Sequence, residues 1–84
     1  MTLYKVYEIS EADSKKILNA FTYHAPVGDQ GRRYEMLRRD AQMLAERFCS
    51  NCPASRELSL ALTNLEQAVM WANAAIARNE AISP

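Results

Sequence analysis

Residues 55–79 read SRELSLALTNLEQAVMWANAAIARN, a run with neither Gly nor Pro. Leu58, Ala61, Leu62, Leu65, Ala68, Val69, Ala72, Ala75 and Ile76 recur in it at a spacing of three and four, which places them on one face of a long helix. Leu60, Thr63, Asn64, Gln67, Met70, Trp71 and Ala74 form a second, patchier stripe outside that face. A single helical hairpin can cover only the first stripe. The second is expected to meet another subunit, or a ligand held between subunits. Leu60, Asn64, Met70, Trp71 and Ala74 are therefore the candidate oligomer-interface residues. The alanine run 72–77, broken only by Asn73 and Ile76, permits close helix approach and agrees with a packing face.

Outward from this helix the punctuation is clear. CSNCPAS (49–55) is a polar turn, and Pro53 suits the first position of the helix that follows. Glu57 near that helix's start and Arg78 near its end both complement its dipole. Before the turn, Tyr34, Leu37, Ala41, Leu44 and Phe48 repeat at helical spacing and predict a helix over about residues 30–48, with Asp29 as its N-cap. HAPVGDQG (24–31) holds both glycines of the chain and one of its three prolines, and is a loop. Ser10 is an N-cap with Asp13 three residues on, opening a short helix through Ile17, Leu18 and Phe21. LYKVYEI (3–9) is rich in β-branched and aromatic residues and suits a short strand or an extended segment. One strand cannot make a sheet alone. The expected fold is mainly α: two long antiparallel helices with a short N-terminal helix, assembling as an oligomer. The expected division is an N-terminal extension, 1–20, and a helical-hairpin domain, 21–84.

The chain has 84 residues, enough for one domain whose core is marginal, so oligomerisation would help it. Apolar residues make up 49% and charged residues 24%, the balance of an ordinary globular protein. Ten basic residues offset ten acidic ones, which speaks against a duplex nucleic-acid binder but not against a small anionic ligand. No apolar run reaches membrane-spanning length, and the first residues lack a signal peptide's basic start and apolar core. A cytoplasmic protein with reduced thiols is expected.

Cys49 and Cys52 form a CxxC. His24 is the only histidine, so a four-ligand zinc site lacks donors, and no βαβ unit accompanies the pair as a redox motif requires. The two are read as turn cysteines, with partly buried side chains, and no metal or cofactor is expected. Seven of the ten basic residues are Arg, and Arg32, Arg33, Arg38, Arg39 and Arg47 all sit on the first long helix. The planar guanidinium fork matches two phosphate oxygens; the competing view is a solvated face laced with pairs such as Glu35 and Arg39 at i,i+4. Phe21, Tyr23 and His24 cluster before the loop. Rings there can stack on a base, although Phe21 is better read as a cap on the core. Asn73, like Asn64 and Trp71, is placed on or near the second, oligomeric face. No combination of nucleophile, base and oriented partner is visible, so an enzyme is not expected.

Two blocks carry a family likeness: FTYHAPVGDQGRRYEMLR (21–38) and CPASRELSLALTNLEQAVMWANAAIARNE (52–80). They resemble a helical-hairpin family encoded widely by bacteriophages, which includes anti-defence sponges that sequester cyclic oligonucleotides of CBASS immunity and cyclic ADP-ribose isomers of Thoeris immunity. The resemblance implies a small helical protein that assembles as a compact hexamer and binds its messenger without cleaving it. Cyclic dinucleotides would lie in pockets between neighbouring subunits, and cyclic trinucleotides in separate pockets nearer the three-fold axes. The family's tyrosine ahead of the first long helix matches Tyr23, and its basic residue on that helix falls at Arg38 or Arg39, where arginine replaces the lysine of better-studied members. His24 and Arg56 complete the ligand-binding candidates. The first twenty residues have no clear counterpart in the smallest sponges. The alternative is an oligomeric hairpin that serves as a structural or interaction protein with no small-molecule ligand.

Overall fold

A computed structural model describes residues 5–80 and contains three helices: α1 (Glu11–Phe21), α2 (Gln30–Asn51) and α3 (Arg56–Asn79). Helices α2 and α3 form the antiparallel hairpin, and no strand occurs among the described residues. Residues 5–9 of the anticipated strand are irregular, because no second strand is present to pair with them; residues 3 and 4 lie outside the described residues.

The helix ends follow from local hydrogen bonding. At α1, Ser10 Oγ accepts from the Asp13 backbone N–H at 3.1 Å, and at α3, Ser55 Oγ accepts from the Leu58 N–H at 3.1 Å. Both hydroxyls satisfy a donor that the first helical turn leaves unpaired. Ser55, not Pro53, marks the start of α3, and Pro53 sits in the connection. Asp29 precedes α2 but makes no side-chain cap; its carboxylate instead pairs with Arg33 at 3.1 Å. Gly28 supplies the left-handed turn into α2, with φ of 57°. The first long helix, α2, also runs three residues beyond the expected 48, because no Gly or Pro intervenes before Pro53.

The seam of the hairpin is built from Tyr34, Leu37, Ala41, Ala45 and Phe48 on α2 and Leu58, Leu62, Leu65, Val69, Ala72 and Ile76 on α3, all half-buried. Leu44, Ala68 and Ala75, assigned to the same stripes, remain exposed at its flanks. No apolar side chain among the described residues is fully buried. The molecule measures 57 × 45 × 15 Å, and 15 Å is little more than the diameter of one helix with its side chains. Its radius of gyration is 18.7 Å, against about 12 Å for a compact domain of this length. Its accessible surface of 7530 Å² exceeds the roughly 5,000 Å² of a compact monomer of this mass. The fold is one helix layer thick, with both broad faces open.

The open end of the hairpin is clasped. Gln30, the one buried polar residue among the described residues, accepts from the Val27 N–H at 3.0 Å and donates through Nε2 to Glu80 at 2.9 Å. Arg33 adds a bidentate pair to Glu80, both bonds 2.6 Å. Hydrogen bonds from Arg33 and then Gln30 hold the Glu80 carboxyl down at about 2, and Glu80 in turn raises the Arg33 guanidinium further above its ordinary range. Because the folded-state value lies below the ordinary 4.5, the clasp is intact above that pH and is lost as pH falls toward the folded value. The thermal midpoint of the native chain is expected to fall between about pH 5 and pH 2.5 more than that of Glu80→Gln. Parallel acid profiles of the two, followed by circular dichroism, would remove this pair from the acid response.

Candidate ligand-binding site

Helix α1 touches the hairpin only at its C-terminal end. Asn19 Nδ2 donates to the Arg78 carbonyl at 2.9 Å, Arg78 Nη2 donates to the Ala20 carbonyl at 3.4 Å, and His24 Nε2 donates to the Asn19 carbonyl at 2.9 Å. The remaining α1 residues are exposed. Phe21 is 86% exposed and does not cap a core, because the hairpin has no interior at that point for a ring to fill. The same three bonds hold the segment after α1 against the end of α3, and so fix where Tyr23 and His24 stand.

There an open hollow of about 320 Å³ is lined by Tyr23 and His24 from the loop, Tyr34 and Arg38 from α2, and Asn73 and Arg78 from α3. Tyr23 is 83% exposed and His24 half-buried. Tyr34 and Arg38 are one helical turn apart and share a face. No carboxylate lies within ion-pair distance of Arg38 among the described residues, so its donors are open to an anion. The Arg78 guanidinium lies over the Trp71 ring, 5.9 Å from its centroid. On the α2–α3 seam side the hollow runs into an apolar groove of about 520 Å³ lined by Ala41, Ala45, Leu62, Leu65, Val69 and Met70; Arg38 and Asn73 line both.

Of the sequence candidates, the structure brings together Tyr23, His24 and Arg38. Arg39 is on another side of α2, 3.7 Å from Glu35 in an exposed i,i+4 pair, beside Arg32 and Met36. Arg56 stands at the start of α3, about 25 Å along the helix from Asn73. Neither reaches the hollow within one chain. The second α3 stripe divides in two. Ala74 lines the hollow and Met70 the groove, whereas Leu60, Asn64 and Trp71 lie on the back of α3, opposite the seam. Asn73 is on the hollow side and away from Trp71's face, since the two are 200° apart at about 100° per residue. Tyr34 and Arg78 join the site although the sequence pointed to neither. The i,i+4 relation of Tyr34 to Arg38 was a readable signal; no local pattern points to Arg78.

Cys49 and Cys52 are free and exposed at the far turn rather than partly buried, because the thin hairpin offers no interior there. No group of three or more His, Cys, Asp or Glu that could hold a metal occurs among the described residues. No described helix is long and apolar enough to cross a membrane.

The family model for the Acb2/Tad1 hairpin domain matches residues 13–77. The chain belongs to this family of phage anti-CBASS and anti-Thoeris sponge proteins. The matched span takes in α2, all but the last two residues of α3, the loop between α1 and α2 and every residue of the hollow except Arg78. No curated protein and no solved structure matches the chain.

Proposed function

We propose that the protein is a phage anti-defence sponge that binds cyclic oligonucleotide or cyclic ADP-ribose-type immune messengers in the host bacterial cytoplasm without cleaving them. The observation that carries this is the meeting of Tyr23 with Arg38 in one open hollow, in a chain of the Acb2/Tad1 family. Tyrosine rings supply stacking surfaces for bases, and an unpaired guanidinium supplies a fork for phosphate oxygens. The hollow contains no carboxylate, and His24 has one ring nitrogen committed to Asn19. That inventory suits holding a ligand better than hydrolysing it.

A hollow open on one side of a single-layer chain is completed by a second copy, and the family likeness favours a hexamer. Bound messenger is then withdrawn from its effector for as long as sites exceed ligand and affinity is high. The test is native mass spectrometry of protein purified from cells producing a cyclic oligonucleotide, followed by calorimetric titration with cyclic di- and trinucleotides and cyclic ADP-ribose isomers. An oligomer carrying intact messenger, released unchanged on denaturation, supports the sponge. An oligomer without added mass and silent in every titration supports the alternative, a purely structural or interaction hairpin. The exposed Leu60 and Trp71 side chains, 49% and 67% accessible, favour that alternative's packing surface equally well.

A further inference from the structure

We propose that Asn73 reads the edge of an adenine in the Tyr23–Arg38 hollow and so selects adenine-bearing messengers; this rests on the binding function proposed above. Asn is a poor residue for a helix interior, since its short amide competes for backbone groups. In this chain the side-chain amides of Asn19, Asn51 and Asn79 each donate to a backbone carbonyl. Asn64, which is exposed, and Asn73 do not, and of these the Asn73 Oδ1 is closed off from solvent with no hydrogen-bond partner. A buried polar atom left unpaired is unfavourable, so such a group calls for a partner that the chain alone lacks.

The position indicates what that partner is. Asn73 and Arg38 are the two residues common to the hollow and the groove, so the amide sits beside the phosphate-binding guanidinium and between the tyrosine rings and the apolar groove. Rings stack on any base and a guanidinium binds any phosphate, so neither distinguishes one base from another. A carboxamide does. Turned about its last side-chain bond, it presents one acceptor and one donor side by side, the complement of the adenine N6 amino group and N7. Hypoxanthine offers an oxygen in place of that amino group, and the Asn73 oxygen would then face an acceptor.

The test is calorimetric titration of the full chain with cyclic di-AMP and cyclic di-IMP. Cyclic di-AMP is expected to bind about 5- to 150-fold more tightly, the range of one good bidentate base contact. Asn73→Leu is expected to weaken cyclic di-AMP binding and abolish the difference between the two ligands, with the native oligomeric mass of the wild-type chain. Equal wild-type affinities for the two ligands overturn the role of Asn73 and leave the sponge standing. A changed oligomeric mass in Asn73→Leu also overturns it, by assigning the amide to subunit packing. Binding of neither ligand overturns the adenine proposal and removes cyclic dinucleotides from the proposed function with it.

Discussion

Replacing Arg38 with Ala is expected to weaken binding of a cyclic dinucleotide by at least about 100-fold. A guanidinium bound to a phosphate makes two charge-assisted hydrogen bonds, and losing both removes about 3 kcal/mol or more, which is about two powers of ten in Kd. The loss should appear in affinity and not in stability, because Arg38 has no ion-pair partner among the described residues whose loss would unsettle the fold. Arg38→Lys should recover part of the affinity, since it restores the charge but not the fork. Arg39→Ala is the matched control: its side chain is exposed beside Glu35, and an exposed pair of this kind contributes little. Titration of the three variants under one salt condition decides the matter. A larger effect at Arg39 than at Arg38 would move the phosphate contact to the other side of α2 and dissolve the site as described.

The second large effect is expected at Trp71. Its ring is 67% exposed on the side of α3 turned away from the seam, where the Arg78 guanidinium stands over it. With no fully buried apolar side chain among the described residues, a large exposed ring is the expected anchor for the proposed subunit packing, and truncating such anchors costs about 2 kcal/mol or more. Trp71→Asp adds a charge to that loss. The variant is expected to lose the native oligomer in light scattering and to melt upward of about 10 °C lower than the wild type. The wild-type midpoint should also rise with protein concentration, as it does wherever association stabilises the folded state. An unchanged mass for Trp71→Asp would assign the back of α3 to solvent and leave the groove side, with Met70, as the packing surface.

The long-range architecture was legible because its signals are local. Ser55 and Ser10 are capping residues whose bonds reach three residues ahead, and the seam residues repeat along each helix, so a linear reading recovers both. Where a third residue intervenes, the linear reading is overturned. Asp29 has a capping residue's identity, but Arg33, one turn on, takes its carboxylate. Pro53 has the right conformation for a first helical residue, yet Ser55 offers a better cap two positions later. The candidate site divides on the same principle. Tyr23 and Arg38 belong to a loop and a helix that adjoin in sequence. Arg78 reaches them only through hydrogen bonds to Asn19 and Ala20, made between residues 58 and 59 positions apart. The placement of Asn73 on the hollow side depends on how α3 is rotated against α2. A stripe drawn on α3 alone does not separate it, or Met70 and Ala74, from the side that carries Trp71.

The 15 Å thickness also bears on how such a chain accumulates in a cell. A solitary copy hides no apolar side chain completely among the described residues, and a chain so thinly packed is expected to open readily and be exposed to degradation. With the proposed assembly, copies that find one another early would be spared and the rest cleared, so surviving protein would rise more steeply than the rate of synthesis. Weak translation would leave almost none of it, and strong translation a full complement. For a sponge of the kind proposed, whose capacity is counted in binding sites, the flat shape of one chain would thereby turn a graded supply of message into a threshold in dose.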